Sequence, residues 1–246
     1  MFKHLVSVDR TLPLGECPAE GHNRWHPDIA PMIFVKSGDE AEIHTRDSFD
    51  CQIHKTMSGA DLSQASIGRA HPLTGPVYVE GAELGDLLAV DILDVKSHDE
   101  GFTVIVPGFG FLRDLFTTPH LVHWDMREGF ASSSELPGVR IPGAPFFGVM
   151  GLAPSHKLLA NINAREKSLH ERGGAVFLPD TDMAVPADPA IAGEALRTIS
   201  PHETGGNLDI KQFVKGTTVY LPVYEEGALF SVGDAHFAQG DGESCG

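Results

Sequence analysis

The chain has 246 residues, enough for one large domain or two modest domains with a substantial core. Its 34 acidic and 18 basic side chains give a formal net charge of -16, which argues against nucleic acid and anionic membrane surfaces as partners. The 3 cysteines are far apart and form no Cys-x-x-Cys pair, so they indicate neither a disulfide framework nor a thiolate zinc site and fit a reduced, cytoplasmic setting.

No stretch approaches the ~20 apolar residues of a membrane span, and the N-terminus lacks the apolar core of a signal peptide. The 27 glycines and 17 prolines recur along the whole chain. Such frequent interruption favours many short strands over long helices.

The first polar loop lies at residues 22–28, where Pro27 restricts the residue before it. It gathers two histidines, an arginine and an aspartate around Trp25, so it suits a substrate or metal pocket, or else a surface loop anchored by the Trp side chain. Residues 41–46 alternate apolar and polar side chains, which predicts a half-exposed strand. Glu80 follows at a turn, where it either reaches a site or is simply solvated.

The middle of the chain carries an aromatic loop. Residues 102–106 read as a strand, and residues 107–111 form a glycine-bearing loop that contains Phe109 and Phe111. These rings could wall a small apolar pocket, and ordinary core packing explains them equally well. Trp124 stands among histidines in the next turn and strand, which suggests a further lining residue.

Two helices are predicted in the second half of the chain. Ser155 can cap a helix that runs to about Arg172, where two glycines end it. A second helix is predicted between Asp188 and Ile199, because Asp188 is a favourable N-cap and Pro189 suits the first turn.

A first glycine-bordered acidic motif occupies residues 205–209. Asn207 and Asp209 are two positions apart and project alike if the segment is extended, although an Asx-type turn also explains the pattern. Residues 217–223 then alternate as a clear strand. We expect residues 228–232 to return beside it as the second strand of a hairpin.

The second motif, residues 231–243, places acidic residues and a histidine between glycines directly after an apolar run. In an extended segment Asp234 and His236 share a face, as a pair of zinc or hard-metal ligands must. The glycines permit positive φ, which lets later carboxylates such as Glu243 fold back toward the same point. The alternative is a polar turn with solvated charges.

Several stretches of the chain together resemble the signature of the acetamidase/formamidase family. They are residues 22–28, 74–82, 145–151, 205–209, 220–223 with 227–230, and 231–243. The resemblance implies a mainly β, β-sandwich-like fold with an α+β subdomain and one or two helices. It also implies hydrolysis of formamide, acetamide or similar short amides to ammonia and carboxylate, with a divalent metal ion. Family chains continue past the match to Glu243, so we expect this chain to stop short of the family's C-terminal end.

On this basis we expect a β-rich part at residues 1–150 and an α+β part at residues 151–246, working as one catalytic unit. The hypothesis assigns metal binding, with zinc first and calcium as the alternative, to Asp209, Asp234 and His236. It assigns the catalytic roles to Glu243 or Glu80 as base and to Asn207 and His26 at the oxyanion, and substrate contacts to Phe109, Phe111 and Trp124. A homo-oligomer is expected, since such enzymes often form one and short strands leave exposed edges. The rival hypotheses are a non-catalytic β-sandwich module that binds a small ligand, and a nucleophile-type amidase that uses Cys245 or a serine.

Overall fold

The computed structural model describes residues 3–240, which form a mainly β protein, as predicted from the glycine and proline pattern. The strands are β1 (Lys3–Val6), β2 (Arg24–Trp25), β3 (Ile33–Lys36), β4 (Glu40–Ile43), β5 (Leu73–Glu80), β6 (Leu87–Asp91), β7 (Glu100–Ile105), β8 (His120–Arg127), β9 (Phe130–Ser132), β10 (Arg140–Pro142), β11 (Phe146–Gly151), β12 (Leu196–Arg197), β13 (Gly205–Asn207), β14 (Thr218–Pro222) and β15 (Phe230–His236). The helices are α1 (His156–Glu171) and the single turn α2 (Pro189–Ala192).

A five-stranded sheet organises the molecule. Its strand order is β13-β11-β15-β5-β3, antiparallel throughout except for the parallel pair of β3 and β5. A four-stranded sheet has the order β10-β9-β8-β7, and an open cleft is lined by residues of this sheet and of the five-stranded sheet. Strand β6 pairs with β14 as a two-stranded ribbon. Strands β11 and β15 occupy the second and third places of the five-stranded sheet, so each has a hydrogen-bonded neighbour on both edges.

Both faces of the central sheet are covered by apolar side chains. Val149 and Met150 are neighbours in β11, so they point to opposite faces. Met150 joins a buried cluster with Leu221 of the β6–β14 ribbon, whereas Val149 joins a second cluster with Leu159 of α1. The ribbon therefore packs on one face of the sheet as in a sandwich, and α1 packs on the other.

Helix α1 forms as the sequence predicts. The hydroxyl oxygen of Ser155 accepts the backbone N–H of Leu158 at 3.3 Å, which satisfies one of the unpaired donors of the first turn. The helix ends at Glu171, directly before the predicted boundary at Arg172. Its buried side chains, Leu159 and Ile162, lie on the face that meets the sheet.

The second predicted helix is wrong in length. Asp188 does cap a helix, since its carboxylate accepts the N–H of Ala190 at 2.9 Å, but the helix ends at Ala192. Leu196 and Arg197 form β12 instead, antiparallel to β2. Leu196 is buried against the α1 side of the sheet, so tertiary pairing outweighs the weak local preference for helix.

The predicted hairpin is also wrong. The strand predicted at residues 217–223 is present as β14, but its partner is β6, and β15 lies between β11 and β5. Ala228 and Leu229 both adopt positive φ, 59° and 57°, which directs the chain away from β14. Strand β15 is buried from Phe230 to Asp234, so its backbone groups need partners on both edges.

The two predicted parts of the chain share one sheet. Strands β3 and β5 precede residue 150, whereas β13 and β15 follow it, and all of them belong to the central sheet. The division at residue 150 stays a prediction. Among the helices of residues 3–240, none has the length and apolar character needed to span a membrane.

Candidate metal centre

Three side chains converge on one point over Gly148, on one face of β11. Nε2 of His236 lies 3.2 Å from Oδ1 of Asp209 and 3.4 Å from Oδ2 of Asp234. These atoms all lie within 4.8 Å of one another, as the ligands of a single ion must. The structure thus brings together the three residues predicted as metal ligands, although Asp209 lies 25 positions before Asp234.

The backbone of Gly148 forms the floor of this group. A Cβ placed on Gly148 would lie 2.4 Å from Oδ1 of Asp209, 2.6 Å from Nε2 of His236 and 3.0 Å from Oδ2 of Asp234. The absent side chain therefore leaves a small space that all three ligand atoms face. An ion would fit in that space, and a methyl group would compete for it.

Both aspartates have unusual backbone conformations. Asp209 has φ 48° and Asp234 has φ 50°, in the left-handed region that costs non-glycine residues free energy. The N–H groups of Leu208 and Asp209 donate to the carbonyl oxygen of Gly148 at 2.9 and 3.1 Å, which holds the first of these turns against β11. Such strain persists where the surroundings fix it, and it is common at functional sites.

The imidazole of His236 is held between its neighbours. It stacks on the ring of Phe146 at a centroid distance of 4.8 Å and an interplanar angle of 15°. Burial lowers the pKa of His236, but hydrogen bonding and the charges of Asp209 and Asp234 outweigh burial and raise it to about 10. The two carboxylates thus strongly favour a positive charge at this point.

One buried carboxylate oxygen has no well-aligned donor within the described residues. The Nε2–H of His236 can serve only one acceptor, and it lies within hydrogen-bond range of Oδ2 of Asp234. Oδ1 of Asp209 is buried and makes no well-aligned hydrogen bond within residues 3–240, although Nε2 of His236 lies 3.2 Å away. A buried acceptor without a donor is costly, and a bound cation would satisfy it.

Comparison with known proteins identifies the protein family of this chain. The model of the acetamidase/formamidase family matches residues 7–246. The chain belongs to this family. The resemblance predicted from the sequence motifs is confirmed.

Two curated relatives are named acetamidase and formamidase. An acetamidase from Mycolicibacterium smegmatis is 39% identical, and the match covers 97% of this chain and 65% of the relative. A formamidase from Methylophilus methylotrophus is 38% identical over 98% of this chain and 64% of its own length. This chain therefore spans slightly less than two thirds of the length of these relatives.

Two solved structures share the fold. The gamma lactamase from Delftia acidovorans is 37% identical and superposes with a TM-score of 0.92, covering 99% of this chain and 64% of the other. An acetamidase from Bacillus halodurans is 31% identical with a TM-score of 0.70, covering 92% of this chain and 63% of the other.

The other predicted site residues lie farther apart in the structure than the three candidate metal ligands. Asn207, Phe109 and Trp124 line an open cleft of about 2190 Å³ that also contains the metal-type group. The side-chain amide of Asn207 donates to the carbonyl of Ile199 at 2.9 Å, and its oxygen is buried without a partner within the described part of the chain. Phe111 is 84% exposed.

The structure does not bring Glu80 to this group. Glu80 is exposed at the end of β5, with its carboxylate 4.0 Å from the ammonium of Lys36. Glu243 lies outside the described residues.

His26 belongs to a second group of possible ligands, with His156 and Glu194. Its Nε2 lies 3.0 Å from a carboxylate oxygen of Glu194, while its Nδ1 accepts the backbone N–H of Asp28 at 3.1 Å. A neutral imidazole that accepts at Nδ1 carries its proton on Nε2, so Nε2 has no lone pair for an ion. This group therefore fits a hydrogen-bonded pair better than a metal site.

A serine and a histidine also meet in the core. Nε2 of His22 lies 2.7 Å from the hydroxyl of Ser231, and Nδ1 lies 2.5 Å from the carbonyl of Arg24. Ser231 is 0% and His22 1% exposed, so no substrate reaches the pair. It links the first polar loop to β15 and gives no support to a serine nucleophile.

Sequence reasoning missed two residues of the site. The sequence shows Gly148 only as one residue of the motif at 145–151. The space that it leaves for the three ligand atoms depends on the pairing of β11 with β15, which places it opposite Asp234. His71 also lines the cleft, with Nε2 3.8 Å from Oδ2 of Asp234. No local pattern indicates this contact, since the two residues are 163 positions apart in the chain.

Proposed function

We propose that this protein hydrolyses short linear amides, such as formamide and acetamide, to ammonia and a carboxylate. Membership of the acetamidase/formamidase family and the names of its relatives support the reaction class. The observation that carries the mechanism is the convergence of Asp209, Asp234 and His236 above Gly148 in an open cleft.

Asp209, Asp234 and His236 would hold a divalent ion. The buried oxygen of Asp209, which makes no well-aligned hydrogen bond within the described residues, and the small space above Gly148 both fit such an ion. One imidazole with two carboxylates is a donor set that suits zinc, and calcium, which prefers oxygen ligands alone, is the alternative. When bound, the ion would polarise the amide carbonyl and lower the pKa of coordinated water.

The chain's own residues supply position and shape. Stacking on Phe146 fixes the ring plane of His236, and the Gly148 carbonyl fixes the turn that presents Asp209. Asn207 stays our candidate for binding the oxygen of the amide, because it lines the cleft and its amide nitrogen has a second N–H beyond the one given to Ile199.

Other assignments follow from the same reasoning. Phe109 and Trp124, which also line the cleft, would limit the size of the acyl group. Glu243 stays the candidate base on sequence grounds. Glu80 and His26 are not carried into this mechanism, since each is paired elsewhere.

The decisive assay measures ammonia release from formamide and acetamide, before and after chelation and after addition of Zn²⁺. We expect activity that chelator abolishes and Zn²⁺ restores, and loss of activity in Asp234→Ala and His236→Ala. Asp114→Ala and His170→Ala are matched controls, because both side chains are exposed and remote in sequence from the site. Full activity in both site variants would remove the pair from the mechanism.

The same assay separates the rival functions. A non-catalytic binding module would bind the amides without releasing ammonia. A nucleophile-type amidase would keep its activity in the presence of chelator. Thiol alkylation would inactivate it if Cys245 were the nucleophile.

We also propose a homo-oligomer located in the cytoplasm. The outer face of the β6–β14 ribbon supports the homo-oligomer, because the apolar side chains Leu87 and Tyr220 are 66% and 65% exposed there. The free thiols of Cys17 and Cys51 fit a reducing compartment. Sedimentation equilibrium of the purified chain tests the oligomer, and a single monomeric species would contradict it.

A further inference from the structure

His71 is clamped by a single buried residue, Thr198. The hydroxyl oxygen of Thr198 accepts the backbone N–H of His71 at 2.6 Å, and the same hydroxyl donates to the carbonyl of His71 at 3.0 Å. The carbonyl oxygen of Thr198 lies 3.2 Å from Nδ1 of the imidazole. Thr198 is 0% exposed, so both backbone and ring of His71 are fixed from the protein interior.

This clamp determines which ring nitrogen can bind a cation. A carbonyl oxygen only accepts hydrogen bonds, so in the neutral imidazole Nδ1 carries the proton and Nε2 keeps a lone pair. Metal-binding histidines have this arrangement, in which a backbone carbonyl fixes the tautomer through the far nitrogen. The clamp on His71 contrasts with His26, whose Nδ1 accepts a hydrogen bond.

The free nitrogen of His71 faces a carboxylate. Its Nε2 lies 3.8 Å from Oδ2 of Asp234, so a lone pair and a buried carboxylate oxygen face each other. Two acceptors at this distance repel unless a cation or a donor lies between them. Two ligand atoms with bonds of about 2.1 Å to one ion lie at most about 4.2 Å apart, so the observed distance allows a shared ion.

We propose that His71 is a fourth ligand of the metal centre, binding through Nε2 beside Asp209, Asp234 and His236. This inference rests on the proposed metal site. His71 stands outside the group whose atoms all lie within 4.8 Å of one another, so an ion shared by all four residues requires a small adjustment of the side chains of that group toward Nε2 of His71. Two imidazoles and two carboxylates then surround the ion, a donor set that favours Zn²⁺ or Co²⁺ over Ca²⁺.

The test measures metal binding directly on the full chain. Zn²⁺ affinity is determined by competition with a chromophoric chelator, and the visible spectrum of bound Co²⁺ reports the ligands. We expect His71→Ala to weaken Zn²⁺ binding more than about 100-fold, beyond the usual loss for an outer partner, and to change the Co²⁺ spectrum. Thr198→Val keeps the carbonyl and removes only the hydroxyl, so we expect a loss of about 10-fold with the spectrum retained.

Two further variants keep the result interpretable. His71→Asn removes the ring with a smaller change in volume and polarity, so it replaces the alanine variant if that one does not fold by circular dichroism. His156→Ala removes the other group of possible ligands and should leave Zn²⁺ affinity unchanged. Added imidazole should restore the Co²⁺ spectrum of His71→Ala by occupying the vacated position.

The outcomes separate this inference from the function it rests on. A wild-type chain that binds neither ion overturns the metal centre and the role of His71 together. A wild-type chain that binds Zn²⁺, with equal affinity and an unchanged Co²⁺ spectrum in a folded His71 variant, overturns the role of His71 alone.

Discussion

Replacing Gly148 by alanine should prevent ion binding at the proposed metal centre without unfolding the protein. The added methyl group would lie 2.4 Å from Oδ1 of Asp209 and 2.6 Å from Nε2 of His236. Side-chain carbons essentially never approach such atoms within 3.0 Å, so the Asp209 oxygen must retreat by at least 3.0 − 2.4 = 0.6 Å. Metal sites tolerate deviations of about 0.2 Å in ligand distance, so this displacement is disabling.

The expected magnitude follows from these contacts. We expect Zn²⁺ affinity to fall at least about 100-fold, because all three ligand atoms are displaced rather than one outer partner lost. Gly148 lies outside the positive-φ region, so alanine adds no backbone strain there. The overpacking should cost about 1–3 kcal/mol of stability in the metal-free protein.

The assay combines metal content, Zn²⁺ titration and urea unfolding on Gly148→Ala and a matched control. Gly15→Ala is that control, because its Cβ would meet nothing within 4 Å and its φ is not positive. A folded Gly148→Ala protein that binds Zn²⁺ as tightly as the wild type would refute the placement of the ion above this glycine.

Two further predictions concern stability. Ser155→Ala should lower the free energy of unfolding by about 1 kcal/mol in urea titrations, because the first turn of α1 loses its side-chain cap, and Ser155→Asp should retain it. Burial lowers the pKa of His22 to about 4 against an ordinary 6.5, so below pH 6.5 the unfolded chain binds a proton that the folded chain excludes. The free energy of unfolding should therefore fall as the pH drops from 6.5 toward 4. In His22→Gln this fall should be smaller by about 3 kcal/mol. A variant with the same pH profile of stability as the wild type would contradict the buried neutral state of His22.

Local elements were predictable where the information is local. The cap at Ser155, the extent of α1 and the strand at β14 follow from capping and periodicity, which act within a few residues. The helix predicted to Ile199 failed, because the pairing of β12 with β2 depends on a segment about 170 residues earlier in the chain. The hairpin failed for a similar reason, since two consecutive residues with positive φ direct β15 into the central sheet.

The candidate site shows the same limit. Asp209, Asp234 and His236 stood out because carboxylates and imidazole bordered by glycine are unusual in such density, and the structure places them together. Phe111 and Glu80 had equal claims by residue type, yet they are exposed away from this group. Residue type indicates which side chains could bind a metal ion or act in catalysis. Position in the sheet determines which of these side chains lie in the same site.

The sequence by itself determined the family, the mainly β character, the capped helix and the pair of acidic glycine motifs. Only the tertiary structure decided that the two motifs meet above Gly148 and that His71 faces them from a loop held by Thr198. The reason is physical: periodicity and capping act over a few residues, whereas these contacts join positions 71, 148, 209 and 234 through strand pairing that no local pattern specifies.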